Sequence, residues 1–401
     1  MRKQKILLCG ISLLLSLSTM GCGKIIKDGA KSEDKTLTIL SRLMTNETLY
    51  LKEESEKWGK ENGYNIEVIQ DEGDTEAIIE LMKTEYSPDI VVGISHDNLG
   101  NYYEENLIEK VPIDKFSGSN YVNSSVSDAC LFEGEQYAVP FAMETYALLY
   151  NKDIVDKVPK TMEELIQMSK DYNSKGLVFD ITNFYYSGAF VNAYGGYLFG
   201  SENGNLDSKD IGLASTGAIE GYKFLNSLVN EYKILNIDTK WTESMLAMKT
   251  NDAIFYISGP WDVTPLQESG VNVGVTTIPT INGEEVPTFL GVQTSVVSSN
   301  SKNKDIAWDY LEYLENNLID GLTKTGNRIP VITELWEERI STDDIMKGFA
   351  EQAKYAVPMP NIPEMQYIWC AMEDIKELIT NEDIESYAIN MVENIKKNIE
   401  Q

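Results

Sequence analysis

The sequence predicts an α/β protein in which helices pack on mostly parallel sheets. Three observations carry that expectation. Short apolar runs bounded by turn residues alternate with helix-period segments from Thr36 onward. The helical segments carry their own start and stop signals. At 401 residues, the chain is long enough for two lobes, each with a core of its own. No internal repeat interrupts the alternation.

In order along the chain, Thr36–Leu40 ("TLTIL") and Asn65–Gln70 ("NIEVIQ") read as short strands flanking a helix over Glu47–Lys60. Ser87–Gly93 ("SPDIVVG") reads as a buried strand entered by a proline turn. Thr161–Tyr172 reads as a helix with Thr161 as N-cap and Glu164 completing a capping box. Gly176 closes it, and "LVFDIT" follows as a strand. Ala218, Tyr222, Leu225, Val229 and Tyr232 recur at helical spacing, so one face of that segment is core. Ala253–Ser258 ("AIFYIS") has the apolar, β-branched and aromatic make-up of a buried strand. Gly259 and Pro260 end it, and Trp261 stands on the loop just beyond, where water can reach it.

The N-terminus combines Arg2, Lys3 and Lys5 with an apolar run from Ile6 to Met20, the make-up of a secretory signal. "LSTMGCG" resembles a bacterial lipobox, which would make Cys22 the lipidated first residue after removal of 1–21. Residues 22–36 are polar and read as a tether. The expected place is the extracytoplasmic face of the cell membrane, reached through the lipid alone. Loss of the signal takes the formal charge from −29 to about −32. So acidic a chain is repelled by phosphate backbones, which excludes nucleic acid as a partner. Cys130 and Cys370, far apart, are not a disulfide framework and are expected to stay unpaired. His96 is the only histidine, and no Cys/His cluster suits a metal. No cofactor is expected.

Ligands of open α/β sheets settle outside the carboxyl ends of strands. Asp97, Glu144 and Trp261 all follow such ends. An indole beside two carboxylates suits a pyranose, whose ring faces are mildly apolar and whose edge carries hydroxyls. Each residue also has a plainer role. Trp261 could cap the core, Asp97 could cap a helix, and Trp369 in "MQYIWCAM" suits packing as well as stacking. Of the adjacent Tyr185 and Tyr186, one is expected in the core and the other at the cleft. His96 reads as a structural or loop residue, Arg328 in "KTGNRIPV" as half of a surface ion pair ahead of a cleft residue, and "YLKEESEKW" as a solvated helix face.

The blocks "SPDIVVGISHDNLGNYYEENLI", "YAVPFAMETYALLYNKDIV", "PKTMEEL", "AIFYISGPW", "GVTTIPT" and "MPNIPEMQYIWCAM" occur in the order found in the bacterial extracellular solute-binding proteins of sugar ABC importers. The chain resembles that family from about Thr36 to its C-terminus, and most of all its maltose/maltodextrin binders. The resemblance implies a periplasmic-binding-protein fold of type II, with two α/β lobes joined by hinge crossings around a ligand cleft. The lobes would be 37–143 plus 294–339 and 146–290 plus 345–401, with crossings near Met143–Tyr146, Leu290–Thr294 and Arg339–Ile345. It also implies a monomer that hands an oligosaccharide, expected to be maltodextrin-like, to a permease and its ATPase subunits. Carried over by position, Asp97 and Glu144 bind hydroxyls, while Tyr185, Trp261 and Trp369 stack on sugar rings. Three positions depart. Gly93 stands for a family tryptophan, Asn98 for an arginine and Asn183 for a sugar-contacting glutamate, although both amides remain candidate edge contacts.

Other functions leave testable traces. A glycoside hydrolase could use Asp97 and Glu144, but no nucleophile motif such as G-x-S-x-G or H-E-x-x-H occurs. Ferric-ion capture could use Tyr185 and Tyr186 and would show tyrosinate colour. A purely adhesive lipoprotein would close on no solute.

Overall fold

The computed structural model describes residues 35–71, 73–116, 120–172, 175–202 and 205–400. The signal, Cys22 and the tether up to residue 34 lie outside the described residues.

Two sheets organise the described chain. The larger runs in the order Ile329–Pro330, Val139–Glu144, Phe289–Val297, Ile90–Ser95, Thr36–Ser41, Asn65–Gln70, with Val357–Pro358 paired to the start of Phe289–Val297. Thr36–Ser41 pairs in parallel with both Asn65–Gln70 and Ile90–Ser95. Phe289–Val297 runs antiparallel to its two neighbours, Ile90–Ser95 and Val139–Glu144. The smaller sheet runs Val273–Thr276, Ala147–Asn151, Phe255–Ser258, Leu177–Val178, and only its last pair is parallel. The expectation of mostly parallel sheets is therefore corrected to mixed sheets. A strand's apolar run has no polarity, so alternation with helices left the direction of Phe289–Val297 unread.

The chain passes from the larger to the smaller sheet between Glu144 and Ala147 and re-enters the larger one at Phe289. Strands Ile90–Ser95, Val139–Glu144 and Phe289–Val297 of the larger sheet are buried on both faces, whereas the edge strand Asn65–Gln70 leaves alternate residues exposed. Ile39, Ile90 and Val92 join one apolar cluster, while Leu40, Val91 and Ile94 join another; the pleat alternates the residues up to Val92, and the register shift at Gly93 puts Ile94 on the side of Val91. Helix Thr45–Asn62 packs against Asn65–Gln70, and helix Asp344–Ala353 against Val273–Thr276. Helices Met365–Met372, Ile375–Thr380 and Ile384–Ile399 gather around helix Thr216–Asn230 and one another.

Local readings hold with shifted ends. Thr161 caps helix Met162–Asp171 by accepting from the Glu164 N–H, and the Glu164 carboxylate reaches back to the Lys160 N–H at 2.8 Å. Ala218, Tyr222 and Leu225 are buried on helix Thr216–Asn230. Strand Ile90–Ser95 starts later than read, because Asp89 is a buried polar anchor accepting from Thr38 N and Ser301 Oγ. "LVFDIT" is a strand only at Leu177–Val178. Asp180 ends it by accepting from the Thr182 N–H and hydroxyl, a side-chain turn that competes with pairing.

Gly93 is the extra residue of a bulge. Ile94 faces Thr294 and Val92 faces Ser295, leaving Gly93 unpaired with φ +94°. That backbone favours glycine, and a Cβ would also press on the Leu43 side chain at 2.9 Å.

Candidate functional site

Strand Ile90–Ser95 runs into a tight 3₁₀ turn, His96–Asn98. His96 is fully buried and structural, as read. Its Nε2–H donates to Met359 O at 2.8 Å, and its Nδ1 accepts from the Val292 N–H at 3.0 Å. The ring is thus a neutral link between two segments remote in sequence. Desolvation lowers its pKa, against the opposing pull of the Asp97 charge.

Asp97 does not cap the following helix. Its Oδ1 accepts from Ser95 Oγ, and its Oδ2 accepts from Asn98 Nδ2 at 3.3 Å and from the Trp369 indole N–H at 3.0 Å. Asn98 Oδ1 in turn accepts from Thr75 Oγ1 at 3.2 Å, and the Arg42 guanidinium reaches Thr75 Oγ1 and Gly73 O. Five side chains thus connect the end of the first strand to helix Met365–Met372.

Around Trp369 lies an aromatic group. Its indole meets Phe184 edge-on at 6.1 Å and Phe289 at 6.4 Å. Phe289 meets Tyr185 at 6.3 Å, and Tyr185 meets Trp261 at 6.2 Å, tilted by 44°. Trp261, Tyr185 and Trp369 are half-buried, whereas Tyr186 is buried, so of the two adjacent tyrosines Tyr186 is the one in the core. Burial drives the Tyr185 phenol pKa well above its ordinary value, with neighbouring phenols and Asp97 adding to it. Asn183 is exposed and caps helix Phe184–Ala193, accepting from the Tyr185 N–H at 3.0 Å.

Trp261 sits on the 3₁₀ turn Pro260–Asp262, directly after strand Phe255–Ser258. Gly259 lies against its six-membered ring, leaving no room for a Cβ. Asp262 fixes the turn from below. Fully buried, it accepts from Trp241 Nε1 at 2.9 Å, Tyr256 OH at 2.7 Å and Ser258 Oγ at 2.5 Å. Burial raises its carboxyl pKa, and these donors oppose the rise. Trp241 is itself 46% exposed.

Glu144 is buried at the end of strand Val139–Glu144 and forms an ion pair with Arg328. The reading of Arg328 as a surface charge is corrected. It is buried, and its other edge donates to Glu47 through Nε at 2.5 Å and Nη2 at 3.0 Å. A guanidinium fork matches two carboxylates at once, so each buried charge has an opposite partner.

The structure brings Asp97, Asn98, Tyr185, Trp261 and Trp369 into one connected group and places Asn183 beside Tyr185. Glu144 belongs to a separate ionic group. Sequence reading missed Phe184, Phe289, Arg42, Thr75, Asp262 and Trp241. The signal for Asp262 was its position directly after Gly259-Pro260-Trp261; the others left no local signal. Cys130 is buried and Cys370 exposed, and both are free. Among the described residues no group of three His, Cys, Asp or Glu could hold a metal, and no helix is long and apolar enough to cross a membrane.

A family model described as bacterial extracellular solute-binding protein matches residues 55–347. The galactooligosaccharide-binding protein of Bacillus subtilis is 28% identical over 390 residues, 90% of this chain and 89% of the relative. The maltooligosaccharide ABC transporter solute-binding lipoprotein of Streptococcus pneumoniae is 27% identical over 418 residues, 98% of this chain and 96% of the relative. The solved maltose-maltodextrin binding protein of Alicyclobacillus acidocaldarius superposes with a TM-score of 0.84 at 31% identity, covering 90% of this chain and all of that one.

Proposed function

The chain belongs to the bacterial extracellular solute-binding proteins, a family of transporter binding proteins rather than enzymes, and has their two-lobed periplasmic-binding-protein fold; we propose that it takes up maltodextrin-like oligosaccharides in a cleft between its lobes. An oligosaccharide-binding role follows from its relatives. The lobes proposed are 37–143 with 294–339 and 146–290 with 345–401.

The observation that carries the sugar reading is the half-buried set Tyr185, Trp261 and Trp369 beside the Asp97 carboxylate. Flat rings offer large contact to pyranose faces at little rotamer cost, and an ionised acceptor suits hydroxyls. Two or three stacked rings with a few such bonds can reach micromolar affinity, about −8 kcal/mol. Glu144, Asn98 and Asn183 are the further edge contacts proposed. A lipid on Cys22 would hold the protein at the extracytoplasmic face of the cell membrane; the pneumococcal relative is itself named a lipoprotein. A permease with its ATPase subunits would receive the sugar.

A calorimetric panel tests this. Maltotriose, longer maltodextrins and a galactooligosaccharide should bind to different degrees, with an α-glucan best. A galactooligosaccharide bound more tightly than every α-glucan would overturn the maltodextrin preference while leaving oligosaccharide binding in place.

A further inference from the structure

We propose that the groove between helices Met365–Met372 and Ile384–Ile399 is a second, weak binding site for a neutral oligosaccharide, separate from the cleft between the lobes. The proposal goes beyond the cleft reading and stands without it.

The groove has a volume of about 460 Å³, within the roughly 300–1,000 Å³ usual for small-molecule sites. Its floor is apolar, made by Met391 and Ile395, and Tyr367 and Tyr387 stand half-buried along it. On one rim Asn390, Asn394 and Asn398 recur every fourth residue, all exposed, and so share a face of their helix. Asparagine is a poor helix former, because its amide competes for backbone groups. Other helical asparagines of this protein do bond that way. Asn62, Asn316 and Asn317 each donate to the carbonyl four residues back, at 2.8, 2.9 and 3.0 Å. Among the described residues the three rim amides have no hydrogen-bond partner, and they line the groove with donor and acceptor both unused.

The chemistry of the lining selects the occupant. It holds no lysine or arginine, so in a chain of net charge −29 an anion finds nothing to attract it. Asp374 is its one carboxylate, and a single carboxylate does not make a metal site. Free amides both donate to and accept from hydroxyls, and phenol rings suit the apolar faces of a sugar. Cys370, an exposed free thiol, also lines the groove and reports on whatever fills it.

The test follows alkylation of Cys370 by iodoacetamide, read on the peptide that carries it, with maltohexaose as probe. The cleft is expected to saturate in the micromolar range, and an open groove with two rings at about millimolar sugar. The alkylation rate should therefore fall at least about threefold between ~0.1 and ~10 mM maltohexaose, beyond any change that filling the cleft causes. In Tyr387→Ala, and in the pair Asn390→Ala with Asn394→Ala, the same protection should need at least about threefold more sugar, while calorimetry in the micromolar range stays unchanged. The alanine pair lies on an exposed face and favours the helix, so it decides the matter if the tyrosine variant does not fold. No fall in rate at ~10 mM, ten times the expected dissociation constant, overturns the proposal, and so does an equal fall in the native chain and the variants. A rate that changes only in the micromolar range reports the cleft and overturns it as well. Protection that grows with protein concentration in the absence of sugar makes the occupant a second copy of this chain, and the glycan assignment falls. A chain that binds no sugar in the micromolar range loses the cleft reading, and the millimolar phase still decides the groove.

Discussion

Arg328 donates two hydrogen bonds to Glu47 while pairing with Glu144 on its other edge, and all three residues are buried. One guanidinium thus compensates two carboxylates, one from helix Thr45–Asn62 and one from strand Val139–Glu144. Removing the guanidinium strands both charges. Arg328→Met should therefore cost about 3–5 kcal/mol in chemical denaturation. Glu47→Gln, which leaves the pair with Glu144, should cost less. An Arg328→Met protein as stable as the native one would show that the network adds nothing.

Trp261 is supported from below by Asp262 and bounded by Gly259, so its ring can be displaced without being deleted. Gly259→Ala places a methyl group against the six-membered ring. It should weaken sugar binding at least as much as Trp261→Phe while lowering stability only modestly. Trp261→Ala itself should raise the dissociation constant at least tenfold, the weight of a stacked aromatic. Calorimetry on the three variants, with circular dichroism to confirm folding, checks the ranking. Unchanged affinity in Trp261→Ala would remove that ring from the site.

His96 makes stability depend on pH with a definite sign. Its pKa is lowered by burial, and its neutral Nδ1 must accept from the Val292 N–H. The unfolded chain binds this proton more readily than the folded one. Its contribution is therefore complete above the ordinary histidine pKa near 6.5 and is lost as pH falls below it toward the folded value. One proton gives a slope of at most about 1.4 kcal/mol per pH unit. His96→Gln, whose amide can accept and donate at similar places, should flatten that part of the profile. Denaturation midpoints between pH 7 and 5, native against variant, provide the measurement.

Much of this was legible because it is local. Thr161 and Glu164 mark a helix start within four residues, and Trp261 stands out because a Gly-Pro pair ends the strand before it. Asp97 and Glu144 could be placed at strand ends without knowing which strands pair. The relationships that assemble the site are not local. Asp97 and Trp369 are 272 residues apart, and Arg328 and Glu47 are 281 apart. No periodicity links such positions, and a buried arginine has the same sequence signature as an exposed one. Strand direction was hidden for a related reason, since an apolar run such as Phe289–Val297 reads the same from either end.

Gly93 supplies the last test, because the sequence departs there from the tryptophan that the family resemblance led one to expect. Its backbone lies at φ +94°, at the bulge where Val92 and Ile94 pair on either side of it. A side chain at this position would be strained by the backbone and would press on Leu43, which is buried beneath it. Gly93→Ala should therefore destabilise the protein by about 1–3 kcal/mol, the usual cost of a non-glycine residue held in such a conformation. Gly93→Trp should cost more and should not tighten maltodextrin binding, because the bulge rather than the missing ring decides what fits. Denaturation and calorimetry on both variants distinguish the cases. A well-folded Gly93→Trp protein with higher affinity would mean that the bulge yields and that the aromatic wall was merely absent.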